Sequence, residues 1–175
     1  MYFMENGVSD MTSLIDHERV QPIVKEVPTL FRKFSPEEFR DFLDTGQLET
    51  YQAGQIILSE TGEETEDGWL VADGLMSIWK DNLEVAQQSA GDFFGEEFLF
   101  RRGARIATVK ANTDVALIRF QRDHILDYFR RRPERLFKIF IMNLLEIQHK
   151  RIVAMNKKNA LLQRKIMELR TEAGE

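Results

Sequence analysis

Gly91-Asp92-Phe93-Phe94-Gly95-Glu96-Glu97-Phe98-Leu99-Phe100-Arg101-Arg102-Gly103-Ala104-Arg105-Ile106-Ala107-Thr108-Val109 is the stretch on which the reading of this chain turns. A glycine-bounded turn carries an acid, Glu96, and nine residues later Arg105 opens a strand-like run. Residues 95–100 break the β pattern on either side, which predicts one helical turn whose free N–H groups point outward and can hold an anion. Arg105 can close on the same anion with a charge-assisted fork. Glu96 is an acceptor suited to hydroxyls, such as those of a sugar. Anion donors beside a hydroxyl acceptor describe a sugar-phosphate site. A structural ion pair between Glu96 and Arg105 is the other arrangement these residues allow.

Around this stretch, from about residue 49 to 122, short apolar runs alternate with turn signals. Ile56-Ile57-Leu58, Trp69-Leu70-Val71, Met76-Ser77-Ile78-Trp79, Ala107-Thr108-Val109 and Val115-Ala116-Leu117-Ile118 are strand-like. Gly54, Gly62, Asp73-Gly74, Asp81-Asn82 and Ala90-Gly91-Asp92 separate them. Strands this short with turns this frequent predict a small antiparallel jelly roll or barrel.

Both flanks read as helical. Ser35-Pro36-Glu37-Glu38 is a capping box with proline at the first helical position, and Phe39, Phe42 and Leu43 follow on one face. Gly46 is placed to stop that helix. From about Arg122 onward the pattern is helical again, and Pro133-Glu134 opens a helix that meets no further proline or glycine until Gly174. Heptads over residues 141–169 put Leu145, Ile152, Asn159 and Ile166 at one core position, and Ile141, Gln148, Met155, Leu162 and Leu169 at the other. An asparagine at the first position costs stability but pairs with its mate across a parallel two-stranded coil, fixing register and partner number. A homodimer through this helix is expected. Leu144, Ile147 and Leu161 lie off the seam and leave open a helix packed on its own domain. Arg151, Lys158 and Lys165 flank the seam on one side, with Arg170 facing Lys165, so flanking charges do not help the pair.

Phe94-Gly95-Glu96-Glu97 with Arg105-Ile106-Ala107-Thr108-Val109 resembles the phosphate-binding cassette of cyclic-nucleotide-binding domains, whose pattern is F-G-E-x-A-L, a short loop, then P-R-x-A-T-V. Leu30-Phe31-Arg32-Lys33-Phe34-Ser35-Pro36-Glu37-Glu38-Phe39 is similar to the family's N-terminal helices. Ala53-Gly54-Gln55-Ile56-Ile57, Gly62 and Trp69-Leu70-Val71-Ala72-Asp73-Gly74 match its early strands and glycine spacing. Ala111-Asn112-Thr113-Asp114-Val115-Ala116-Leu117-Ile118 resembles its closing strands. The likeness covers roughly residues 28–150. It implies a mainly β fold, a double-stranded β-helix (jelly-roll) barrel with N-terminal helices and a long C-terminal helix. The implied division is an N-terminal extension (1–27), a β-barrel domain with flanking helices (28–132) and a long dimerisation helix (133–172).

By the same resemblance, Glu96 accepts the ribose 2′-hydroxyl and Arg105 pairs with the cyclic phosphate. Backbone N–H groups around Phe98, Leu99 and Ile106 complete the cradle, with Gly95 and Glu97 in the turn. Phe98 stands where the family usually has alanine or another small residue, and Ala104 replaces the usual proline. Ile106 occupies a position where Ser or Thr often favours guanine, so the implied ligand is cAMP. The implied protein is a regulatory sensor that signals through its C-terminal helix. The alternative is a member of the fold that binds no nucleotide and serves as a dimerisation or protein-interaction module for an effector protein.

Composition bounds the rest. Of 175 residues, 43% are hydrophobic, including thirteen Phe, which suffices for one well-buried domain plus an appendage. The absence of cysteine removes disulfides, thiolate metal sites and cysteine nucleophiles and fits a reducing cytoplasm. No apolar run approaches the ~20 residues of a membrane span. The three histidines, His17, His124 and His149, lie outside the strand-like runs, so a cupin-type metal site has no ligands. Without a nucleophile–base pair either, an enzyme is not expected, and no cofactor is required. Charge is split: residues 1–100 carry 21 acids against 6 Lys/Arg, and residues 101–175 carry 8 against 18. Basic residues scattered among apolar ones read as a solvated helix face. The run from Lys150 to Lys165 allows nonspecific phosphate contact, but the chain ends at Glu175 without room for a helix-turn-helix domain, so specific DNA reading is not expected.

Overall fold

The apolar runs and glycine turns of the middle of the chain fold as eight strands: β1 (Gln47–Tyr51), β2 (Ile56–Leu58), β3 (Asp67–Asp73), β4 (Leu75–Lys80), β5 (Leu83–Ser89), β6 (Phe93–Phe94), β7 (Thr108–Ala111) and β8 (Val115–Gln121). The computed structural model describes residues 13–62, 66–99 and 106–172. One antiparallel sheet has the order β1-β8-β3-β6 and the other β2-β7-β4-β5. The two four-stranded sheets face each other as a jelly roll and, among the described residues, do not close edge to edge into the expected barrel.

In the first sheet β3, β6 and β8 are buried on both faces, and their side chains alternate between two cores. Trp69 and Val71 of β3, Val115 and Leu117 of β8 and Phe94 of β6 point between the sheets, toward Met76, Val109 and Ala111. Leu70, Ala72, Ala116, Ile118, Phe120 and Phe93 point the other way, into a helical layer. This two-sided burial is why β3 and β8 read as continuous apolar runs instead of alternating ones.

Four α-helices and several 3₁₀ turns build that layer: α1 (Gln21–Lys25), α2 (Pro36–Leu43), α3 (Arg122–Arg130) and α4 (Glu134–Glu172). The capping box at the start of α2 forms as the sequence predicts: Glu38 N–H donates to Ser35 Oγ (3.1 Å), and Ser35 N–H donates to Glu38 Oε2 (2.7 Å). Gly46 has a different role from the expected helix stop. Helix α2 already ends at Leu43, whereas a Cβ on Gly46 would lie 2.4 Å from Ile118 Cγ2. Close approach to β8, not capping, demands glycine there.

Residues 13–27 dock on the domain. Val20 and Ile23 are buried in the helical core, and Arg19 Nε donates to Asp73 Oδ2 at 2.6 Å. Helix α4 opens at Glu134, next to Pro133 as expected, and its first turns belong to the same core through Leu136, Phe140 and Leu144. Asn143, also buried, donates from Nδ2 to the carbonyls of Leu30 (3.0 Å) and Arg32 (2.8 Å). Arg32 and Lys150 hydrogen-bond Glu146 and hold its carboxyl down to about 2.

β5 is a polar edge strand in which only Gln88 is buried, opposite Met76 of β4. Its side-chain oxygen Oε1 has no hydrogen-bond partner among the described residues. A buried unpaired carbonyl costs about 1–3 kcal/mol. Gln88→Leu, which removes that group at similar volume, is expected to raise the melting temperature by several degrees, roughly 2–4 °C per kcal/mol for a chain of this size. A thermal melt followed by circular dichroism checks this, and a lowered midpoint would refute it.

Candidate functional site

The stretch from Gly91 to Val109 links the two sheets, leaving the first at β6 and entering the second at β7. Its start is held by two phenylalanines on opposite faces of β6. Phe93 is buried in the helical core, and Phe94 stacks on Trp69 with ring centroids 5.5 Å apart. β6 pairs with β3 through Trp69↔Phe94 and Leu70↔Phe93. Gly95 follows at φ +75°, a left-handed conformation that glycine alone adopts at little cost. The predicted helical turn then forms as a 3₁₀ helix over Glu96–Leu99.

The proposed binding residues are placed unequally. Glu96 opens the 3₁₀ turn with its side chain 18% exposed, and Leu99 packs against the helical core. Ile106 is exposed just before β7. Arg105 and the side chains of Glu97 and Phe98 lie outside the described residues.

Glu96 meets two partners that no local motif predicts. Helix α4 crosses the turn, and both Gln148 Nε2 and Arg151 Nη1 (3.5 Å) reach Glu96 Oε1. Arg151 also donates from Nη2 to the backbone carbonyl of Phe93 at 2.8 Å. The helix is thus tied to the residues on either side of Gly95. Beside these contacts lies a cavity of about 440 Å³, with Glu96 and Gln148 at its polar edge and Leu99, Leu126, Phe137 and Leu144 among its apolar walls. By sequence pattern, Gln148 is a member of the heptad seam and Arg151 flanks it. The one signal pointing elsewhere was a glutamine at a position that a coiled coil prefers to fill with an apolar residue.

The seam divides at the same place. Ile141 packs against the helical core and Gln148 contacts Glu96, so both serve the domain. Leu145, Ile152, Met155, Leu162, Ile166 and Leu169 are all at least half exposed, and Asn159 is exposed with them. Every residue from 152 to 172 is exposed, a span of about 32 Å at 1.5 Å per residue. Among the described residues, no three His, Asp or Glu side chains gather to hold a metal ion, and no helix is long and apolar enough to cross a membrane.

Comparison with known proteins adds independent weight. The model of the family described as "Cyclic nucleotide-binding domain" matches residues 48–132. The human potassium/sodium hyperpolarization-activated cyclic nucleotide-gated channel 3 is 28% identical over 145 residues, covering 82% of this chain and 18% of the channel. The cAMP-dependent protein kinase regulatory subunit of Schizosaccharomyces pombe is 31% identical over 105 residues, covering 58% of this chain and 24% of that protein. The chain therefore spans only about a fifth of the length of the curated relatives it matches. Among solved structures, the catabolite activator protein of Thermus thermophilus superposes with a TM-score of 0.64 at 26% identity, over 77% of this chain and 63% of that one.

Proposed function

Since this chain belongs, through residues 48–132, to the cyclic nucleotide-binding domain family, we propose that it is a regulatory sensor that binds cAMP and signals through α4. The observation that carries this reading is the Gly95-Glu96 turn. It bridges the two sheets at the cassette position and presents its carboxylate directly to the long helix. Glu96 accepts the ribose 2′-hydroxyl, and Arg105 forks onto the cyclic phosphate. N–H groups of the turn around Phe98 and Leu99, with that of Ile106, complete the cradle, while Gly95 and Glu97 shape it. Ile106 offers no hydroxyl to a guanine, which favours adenine. A ligand shifts an equilibrium only if it interacts differently with two states. A helix that touches the ligand's own acceptor is the element placed to meet that condition.

The exposed part of α4 supports a second element of the proposal. Most of a helix's stability in a protein comes from packing an apolar face, and residues 152–172 are all exposed on this chain. An apolar seam interrupted by Asn159 is stabilised by a second copy of itself, giving a parallel homodimer. The chemistry assigned to this chain is recognition without catalysis, in the cytoplasm, with the output passed to an effector protein. A second reading is a member of the fold that binds no nucleotide and acts as a dimerisation module. It is favoured by one observation, that Glu96 already has protein partners.

Calorimetric titration of the purified chain with cAMP and with cGMP separates the two. Saturable heat is expected, with tighter binding of cAMP and a matching rise in melting temperature, since a ligand at 100 times its Kd stabilises by about 2.7 kcal/mol. If neither nucleotide gives heat or a melting shift at millimolar concentration, the receptor reading fails and the module reading stands.

A further inference from the structure

We propose that a groove beside the first turns of α4 docks an acidic amphipathic helix of a protein partner. The groove is a cavity of about 680 Å³ between α4 and the turn that follows the 3₁₀ helix Thr29–Phe31. Its floor is apolar. Ile139, Met142 and Leu145 recur at every third position of α4, and Met142 is 65% exposed. Ile139 and Met142 belong neither to the helical core nor to the heptad seam, so the homodimer proposed above leaves them uncovered. A flexible, polarisable methionine is well suited to receiving a partner's side chains.

The walls are basic. Arg32, Lys33, Arg135 and Lys138 line the cavity against one acid, Glu146. Four cations less one acid leave an excess of three positive charges, in a chain whose net charge is −5. Glu146 is itself held by Arg32 and by Lys150 Nζ at 2.8 Å. Arg135 and Lys138 pair with Glu38 (2.8 Å) and Glu134 (3.1 Å), acids outside the lining. Both cations are more than half exposed, so these bridges are worth little and are readily exchanged for a partner's carboxylates. Lys33 pairs with no acid among the described residues and has φ +73°. Glycine would serve that left-handed turn at less cost, so what lysine adds there is its ammonium. The wall is also rigid, because Asn143 donates to the carbonyls of Leu30 and Arg32 on either side of Phe31.

This combination selects the partner. The floor runs from Arg135 to Glu146, about 16 Å at 1.5 Å per residue, or some three turns of a docked helix. An amphipathic helix lays its apolar face into such a groove, and acids beside that face meet the basic walls. A bare polyanion would leave the apolar floor unused, and a flat bilayer surface does not fill a concave one. The docking is independent of nucleotide binding.

The test is fluorescence anisotropy on the full chain. The probe is a labelled peptide of about 12 residues built of leucine, alanine and glutamate, with leucines at i, i+3, i+4 and i+7. Saturable binding is expected, several-fold weaker when salt is raised from about 0.1 to 0.5 M. Met142→Glu should weaken it by at least about tenfold. Lys33→Gly should weaken it by about threefold without lowering the melting temperature, which separates the lost charge from damage to the fold. Absence of saturable binding at millimolar peptide overturns the proposal. So does equal binding of the matched peptide with lysine in place of glutamate, or an affinity that Met142→Glu leaves unchanged. Phosphatidylserine vesicles provide the remaining arm: if they bind in a Met142-dependent way and the peptide does not, the face belongs to a membrane and the protein partner is excluded. Titration of the same variants with cAMP reads the nucleotide site separately, so failure of the receptor reading and failure of the docking site are distinguishable.

Discussion

Replacing Arg105 with alanine is expected to weaken cAMP binding by at least about 30-fold, from the 2–5 kcal/mol that follows when one partner of a buried, hydrogen-bonded charge pair is removed. The cyclic phosphate is a compact monoanion with two free oxygens, a shape that a planar guanidinium matches with two parallel hydrogen bonds. Turn N–H groups contribute partial charges only, so the arginine supplies the one full positive charge assigned to the site. Arg105→Lys keeps that charge and loses the fork, and should bind between the parent and the alanine variant. The melting temperature without ligand should hardly move in either variant. Affinity within threefold of the parent for Arg105→Ala would remove this residue from the phosphate site. A large loss of thermal stability would instead identify it as half of a structural ion pair, the arrangement that the bare sequence also allows.

The parts of the fold legible in the sequence are those governed by local chemistry. The Ser35 capping box, the Asp81-Asn82 turn and the opening of α4 beside Pro133 depend on neighbouring residues, and each is where the residues predict. Asp81 and Asn82 both have positive φ (50° and 62°), as a tight hairpin between β4 and β5 requires. β5 itself escaped reading, because an exposed edge strand of Leu83-Glu84-Val85-Ala86-Gln87-Gln88-Ser89 has little apolar signal to show. β1 lay at the seam between regions read as helical and as β, and β6 is only two residues long. In the candidate site, Gly95 and Glu96 could be picked out because the turn is a contiguous motif. The contact of Glu96 with Gln148 and Arg151 spans more than 50 residues of chain. It arises from how α4 crosses the domain, which no spacing rule encodes.

That crossing is set by the aromatic core, and Phe42→Ala tests it most severely. The fully buried Phe42 ring packs against Phe31 (4.9 Å between centroids), Phe120 (5.0 Å), Tyr128 (5.2 Å), Phe140 (5.6 Å), Phe129 (5.9 Å) and Phe34 (6.4 Å). These rings come from the turn before α2, from β8, from α3 and from α4, so one side chain joins the sheet to every helix that frames the site. Truncating a buried phenylalanine costs about 3–5 kcal/mol, part from lost transfer energy and part from the cavity left behind. The melting temperature should therefore fall by roughly 10 °C or more. Phe137→Ala offers the contrast. That ring touches Phe129 at 5.1 Å but is 37% exposed, and its removal should cost less than half as much. Because Phe140 anchors α4 two turns before Gln148, the Phe42 variant should also loosen the helix at Glu96 below its melting point, seen as faster exchange over residues 144–151. If its stability fell no further than that of Phe137→Ala, the ring cluster would not be what holds the helix in place. The docking of α4 would then rest on Asn143 and the polar contacts at Glu146 and Glu96.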